Sequence, residues 1–188
     1  MNRVGGASRL ARPLFQAGDG GSNPTSTLSL WFAEIEYERA KELNKLWHSS
    51  LPGFGGGNCR VCYAAEFEGV FYATALWSNP SSPKLPQKTW LQLRRLAIAP
   101  DAPRNTATRM LGWMARDVRR RYPEVEVLVS YQDCDKHSGA IYAAAGWVPE
   151  EVQIRSEKTT WRNRKRAKFV EDKPTKVRRW TKAVKPWN

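Results

Sequence analysis

The stretch from Trp90 to Tyr131 constrains the fold more than any other part of the chain. Trp90 to Ile98 alternates as a β-strand does, with Leu91, Leu93, Arg95 and Ala97 on one side and Trp90, Gln92, Arg94, Leu96 and Ile98 on the other. The turn Ala99-Pro100-Asp101-Ala102-Pro103 stops it. From Asn105 to Arg121 the period changes. Ala107, Met110, Leu111, Met114 and Val118 recur at helical spacing, and Arg119, Arg120 and Arg121 close the helix where its dipole favours cations. Val125 to Tyr131 is then an apolar run short enough for a buried strand. A strand, helix and strand in this order predict an α/β domain with a mixed sheet covered by helices.

The flanking segments fit that class. Tyr37, Ala40, Leu43 and Leu46/Trp47 place an amphipathic helix over Glu36 to Trp47, ending near His48 and followed by a Gly-rich loop, Pro52 to Asn58. Cys59 to Phe67 and Val70 to Trp77 are rich in β-branched and aromatic residues, and Glu68-Gly69 between them predicts a hairpin. Three prolines make Ser78 to Lys88 a loop. Ser138 to Ala145 reads as a short helix stopped by Gly146, with a strand starting at Trp147-Val148. Residues 1–27, rich in Gly, Ser, Arg and Pro, read as a flexible leader, 28–154 as the domain and 155–188 as an extension. Gly21-Ser22-Asn23-Pro24 can be encoded by a sequence that resembles the T-arm of a tRNA gene, so the leader is expected to be an overlapping or misannotated start. No apolar run approaches the roughly 18 residues of a membrane span, which predicts a soluble protein with no membrane partner. Three cysteines and no signal peptide predict a reducing cytoplasm.

The net charge of +13 is uneven. Arg155 to Asn188 holds thirteen basic and three acidic side chains, while the rest of the chain nets only +3. Trp161, Phe169, Trp180 and Trp187 are interleaved with the basic residues. Arg162, Arg164, Lys165, Arg166, Lys168, Arg178 and Arg179 could neutralise phosphates while aromatics such as Trp180 stack on unpaired bases, which predicts a nucleic-acid partner.

Leu93-Arg94-Arg95-Leu96-Ala97-Ile98, followed by a turn and a helix, resembles the central strand and acyl-CoA pyrophosphate loop of GNAT acetyltransferases. Ile141-Tyr142-Ala143-Ala144-Ala145-Gly146-Trp147 resembles their Tyr-x-x-x-Gly-aromatic segment. The longer block from Leu93 to Val148, with Ala102-Pro103-Arg104-Asn105-Thr106-Ala107 and Val129-Ser130-Tyr131-Gln132-Asp133, is similar to the phage Mom family. That resemblance implies a GNAT-like fold and a transferase that adds a carbamoylmethyl group to N6 of adenine, shielding phage DNA from host restriction. Double-stranded DNA with a flipped adenine would be the partner and the host cytoplasm the location. Two other readings stay open: an N-acetyltransferase using acetyl-CoA on a small amine or protein, and a non-catalytic nucleic-acid-binding protein on the same scaffold. The cofactor is left unknown. Where GNAT enzymes carry glycines that let backbone amides approach a pyrophosphate, Arg104-Asn105-Thr106-Ala107-Thr108 has none, which argues against acetyl-CoA. Arg104, Asn105 and Thr106 remain the candidate anion ligands.

Tyr142 stands where the resemblance places a general acid. Ser130 to Asp135 follow a strand end, where ligands of open α/β sheets bind, so Ser130 and Tyr131 are candidates to hold the adenine. Asp133 is the preferred base or N6-binding group and Asp135 the second. Arg94 and Arg95 are expected on opposite faces of their strand, one of them needing a carboxylate or phosphate partner. His48 closes a helix beside the Gly-rich loop and is a further catalytic candidate. Cys59, Cys62, Cys134 and His137 have the composition of a soft-metal site, but a spacing of three on a strand predicts opposite faces for Cys59 and Cys62, so no metal is expected.

Overall fold

The computed structural model describes residues 29–48, 51, 53, 59–155 and 175–184. In chain order the elements are β1 (Trp31–Glu34), α1 (Tyr37–Trp47), β2 (Cys59–Phe67), β3 (Val70–Ser78), β4 (Trp90–Ile98), α2 (Thr106–Arg121), β5 (Val127–Asp133), α3 (Ala140–Ala144), β6 (Val148–Arg155) and β7 (Thr175–Ala183). The strands form one mixed sheet in the order β1-β2-β3-β4-β5-β7-β6, with β4 and β5 its parallel pair. The expected leader, most of the Gly-rich loop, and Arg162, Arg164, Lys165, Arg166 and Lys168 lie outside the described residues.

Local chemistry accounts for the elements. Glu68 and Gly69 take φ values of 50° and 82°, the left-handed pair that suits the twist of a two-residue hairpin. The α2 stripe of Met110, Leu111, Met114 and Val118 is buried against Leu91 and Leu128 of the sheet, forming the main core with α3 and Trp147. On the opposite face a smaller cluster joins Ala40 of α1 to Cys62 and Leu76. One charged group enters the core. Asp117 is 6% exposed, accepts the Tyr63 hydroxyl at 2.9 Å and is held by Arg120 and Arg121.

Two bulges overturn expectations drawn from strict alternation. In the β3–β4 pairing Leu76 opposes Arg95 while Trp77 opposes Leu93, which makes Arg94 the extra residue and exchanges the faces beyond it. Leu96 and Ile98 consequently join Leu91 and Leu93 on the core face, while Arg95 reaches the α1 side and donates to the Gly53 carbonyl at 3.2 Å. In β2 the register shifts between Cys59 and Val61, so Cys59 and Cys62 share a face, contrary to the sequence expectation, with sulfurs 2.8 Å apart. Among the described residues no group of three or more potential metal ligands gathers.

The C-terminal region also departs from expectation. Residues 175–183, expected in an extension outside the sheet, form β7, hydrogen-bonded between β5 and β6. Trp180 is 3% exposed and therefore has no face to offer a base. Arg179 is engaged with Glu150 at 2.6 Å, and the Arg178 guanidinium lies 5.9 Å over the Trp180 ring. The charges read as a nucleic-acid-binding extension are, in this segment, the polar side of a strand whose alternate positions face the core. Among the described residues no helix is long and apolar enough to cross a membrane.

Candidate active site

β4 and β5 pair from Trp90↔Val127 to Leu93↔Ser130 and no further. Beyond those residues β4 continues beside β3 to Ile98, and β5 beside β7 to Asp133, so the sheet splits at its centre. The cleft between the halves has a volume of about 820 Å³, within the range of small-molecule sites. It is reached by the end of α1, the bulged part of β4, the end of β5, the loop after it and α3.

The structure brings most of the expected catalytic and substrate-binding residues to this cleft. His48, Arg94, Arg95, Ser130, Tyr131, Asp133 and Tyr142 all line it. Tyr142 is buried in the wall of the cleft. It is 9% exposed, stacks on Trp180 at 5.4 Å, meets Trp147 edge-on at 5.6 Å, and shares a 2.9 Å hydrogen bond with Ser130 Oγ. Burial pushes the phenol pKa up, and the Ser130 hydrogen bond opposes the shift only in part. The phenol is therefore protonated at neutral pH.

Gly139 fixes where that tyrosine stands. It has φ 78°, and its carbonyl accepts the Tyr142 amide at 3.0 Å. A Cβ at this position would lie 2.4 Å from Gln132 Oε1 and 2.7 Å from the Trp180 ring. Gln132 is the site residue that the sequence reading passed over. Its Oε1 accepts the Trp180 indole N–H at 2.6 Å, and its Nε2 donates to the His137 carbonyl at 2.5 Å, clamping β7 and the 134–139 loop to β5. A signal existed: Gln132 lies two residues from Ser130 and so shares its face.

The polar loop divides its two acids. Asp133 lines the cleft, accepts the Asp135 amide at 3.1 Å and lies 3.5 Å from Lys136 Nζ. Asp135, the second candidate base, does not line it. Its carboxylate accepts the Lys176 amide at 3.0 Å and ties the loop to β7. His48 is the C-cap of α1, and its Nδ1 accepts the Leu51 amide at 3.1 Å, which leaves the neutral ring with an Nε2–H donor. Burial and then the nearby Arg95, His137 and Lys136 hold its pKa below the ordinary histidine value.

The expected anion loop stands apart. Arg104 and Asn105 are exposed, Thr106 is buried, and none of the three lines the cleft, whereas Ala107 does. Asn105 adopts φ 63°, the conformation a glycine supplies and asparagine tolerates, and forms no side-chain cap. Thr106 directs both its amide, at 3.2 Å, and its hydroxyl, at 2.6 Å, to the Pro103 carbonyl. These residues do not fit a cradle for the pyrophosphate of acetyl-CoA.

Several solved structures share the fold. A ribosomal-protein-S18-alanine N-acetyltransferase from Escherichia coli matches with 13% identity and a TM-score of 0.56, over 85% of this chain and 96% of that one. A GNAT-family acetyltransferase from Streptococcus pneumoniae matches with 13% identity and a TM-score of 0.57, over 84% of this chain and 100% of that one. A Salmonella typhimurium protein solved with its cofactor acetyl-CoA matches with 10% identity and a TM-score of 0.58, over 84% and 95%. At these identities the likeness establishes the fold alone: this is a GNAT-like α/β sheet. No curated protein matches the sequence. The model of the Mom protein family, by contrast, matches residues 29–188, from just before β1 to the last residue, and on that evidence the chain belongs to the Mom protein family.

Proposed function

We propose that this chain is a transferase that adds a carbamoylmethyl group to N6 of adenine in DNA, the activity the Mom resemblance implies. The observation that carries the reading is one cleft that joins a buried hydroxyl pair, Tyr142 and Ser130, to the Asp133 carboxylate and a basic rim. Acetyl-CoA-dependent transfer is the weaker reading, because Thr106 spends both its donors on Pro103. A flipped adenine costs a few kcal/mol of unstacking, which contacts in an enclosed pocket can offset. Asp133 accepts a hydrogen bond from the N6 amine and takes its proton as the new bond forms. Tyr142, kept protonated by burial, donates to the atom that leaves the donor of the transferred group. Ser130 aims the phenol, and Tyr131, at the edge of the cleft, offers a ring for stacking. In an infected cell the modified adenine would shield phage DNA from restriction.

The test is mass spectrometry of nucleosides from plasmid DNA made with and without the protein. Wild type should yield the modified adenosine, whereas Tyr142→Phe and Asp133→Asn should reduce it by at least a hundredfold, the lower range for loss of a general acid or base. Tyr142→Phe keeps the ring between Trp180 and Trp147 but strips the buried Ser130 hydroxyl of its phenol partner, at a cost of about 1 kcal/mol. Undiminished product from both variants would show that the two residues are scaffold. DNA that carries no new adenosine with wild type would remove the reading altogether.

A further inference from the structure

The entrance of the cleft differs in chemistry from its depth. Arg94, Arg95, Lys136, His48 and His137 line it, and Asp133 is the only carboxylate among the described lining residues. The three permanent cations thus outnumber the one anion by two, before either histidine is counted. The groups are close enough to feel one another, since burial and then Arg95, His137 and Lys136 disfavour the His48 cation. Arg95 is in similarly repulsive company, because burial and the adjacent Arg94 both disfavour its charge. Exposure follows the same division. His137 and Lys136 are exposed and the arginines half-exposed, whereas Ser130 and Tyr142 are 2% and 9% exposed.

A site with cations at its mouth and neutral hydroxyls at its depth suits a molecule that carries phosphate at one end and an uncharged, hydrogen-bonding group at the other. A nucleotide has that polarity. The start of α2, closed off by Pro103 and Thr106, contributes no charged side chain to the cleft; among the described residues, the lysine and arginines that line it come from the β4 bulge and the loop after β5. The bulge brings this about, because without an extra residue at Arg94 the next residue, Arg95, would face the core shared by Leu91 and Leu93.

We propose that this rim is a phosphate-binding site which grips the phosphodiester groups beside the target nucleotide while its base enters toward Tyr142 and Ser130. The inference rests on the reading above that the substrate is a nucleic acid. It adds that the folded domain, and not only the basic residues beyond β6, holds the backbone. Arginine forks suit phosphate oxygens, and the His48 Nε2–H is a further donor at the same rim.

The experiment measures binding of the full chain to a short adenine-containing single strand by fluorescence anisotropy across a salt series. Arg94→Gln, Arg95→Gln and Lys136→Gln should each weaken binding roughly tenfold at low salt and reduce the log–log salt slope by roughly 0.7, the value for one phosphate contact on a single strand. Arg95→Lys should keep the slope, and exposed Lys136 is a site where substitution leaves the fold intact, so the set stays informative if Arg95→Gln fails to fold. Unchanged affinity and slope in Arg94→Gln and Lys136→Gln would overturn the proposal. Calorimetry with inorganic pyrophosphate distinguishes a donor's phosphates from the substrate's. Saturable binding lost in the same variants, with strand binding unaffected, would assign the rim to a donor and equally overturn it. Reduced slopes in rim variants of a protein whose wild type yields no modified adenosine would leave the phosphate site standing and remove only the modification reading. Modified adenosine with undisturbed slopes would do the reverse.

Discussion

Gly139→Ala tests the packing that holds Tyr142 in place. Two costs can be read from the geometry. The first is conformational: at φ 78° an alanine incurs about 1–2 kcal/mol relative to glycine. The second is steric. The new methyl would fall 2.4 Å from Gln132 Oε1 and 2.7 Å from the Trp180 ring, and neither can yield freely, because Gln132 is 4% exposed and bonded at both ends of its amide. Making room breaks the indole–amide hydrogen bond and leaves buried polar groups unpaired, at about 1–3 kcal/mol. The total of about 2–5 kcal/mol predicts a Tm lower by roughly 10 °C, since 1 kcal/mol shifts a domain of this size by about 2–4 °C. Gly69→Ala supplies the control. Its φ of 82° imposes the same conformational cost, but nothing lies within 4 Å of its added methyl, so its Tm should fall by only about 2–8 °C. Thermal unfolding followed by far-UV circular dichroism reads both, and near-UV spectra report Trp180. Equal shifts in the two variants would refute the argument, because the close approach of Gln132 and Trp180 would then contribute nothing.

Two further predictions concern ionisable groups away from the phenol. Burial and cationic neighbours depress the His48 pKa in the folded state, so the unfolded chain binds that proton more readily. Stability from this group is complete above the ordinary pKa of about 6.5 and is lost as pH falls from there toward the folded value. His48→Gln should flatten that part of the Tm-against-pH curve, and an identical curve in the variant would exclude the assignment. Cys59 and Cys62, brought to one face by the β2 bulge with sulfurs 2.8 Å apart, should be converted to a disulfide by diamide, the diazene being reduced as the two thiols are oxidised. Alkylation followed by peptide mass spectrometry should then find Cys134 as the one modifiable cysteine. Three modifiable cysteines after oxidation would contradict the placement.

What could be read from the sequence was whatever regular periodicity writes into it. β4 was delimited to the residue, the hairpin turn was identified by Glu68-Gly69, and the α2 stripe faces the core as its spacing requires. Bulges are different, because an inserted residue changes every face after it and leaves no compositional mark. The expected placement of Arg95 on the side of Leu91 and Leu93, and the expected separation of Cys59 from Cys62, failed for that one reason. β1, four residues long, is too short for alternation to register. β7 was concealed by its charge. Its lysines and arginines donate to partners contributed from far along the chain, Lys182 to the Ala145 and Gly146 carbonyls and Arg179 to the Glu150 carboxylate. In the site, Ser130, Asp133 and Tyr142 could be proposed because their chemistry is conspicuous, whereas Gln132 acts by clamping neighbours that only the fold brings near.

The position of β7 alters how the basic C-terminal region relates to the chemistry. Truncation before Arg155 would remove more than charge. It would strip β5 of its antiparallel neighbour from Val127 to Asp133, expose the edge that carries Ser130 and Gln132, and take away the Trp180 ring on which Tyr142 stacks. Loss of DNA binding or of product in such a truncation would therefore follow from collapse of the site and would not measure the electrostatic contribution of the region. The two effects separate only by substitution. Neutralising Arg162, Arg164, Lys165, Arg166 and Lys168 changes charge without touching β7, whereas Trp180→Phe keeps every charge, removes the indole N–H from Gln132 and loosens the wall behind Tyr142. On the proposed function, a C-terminal segment that both packs the phenol and continues a strongly basic run would couple substrate capture to the reacting group through one strand, so that residues distant in sequence would form a single site.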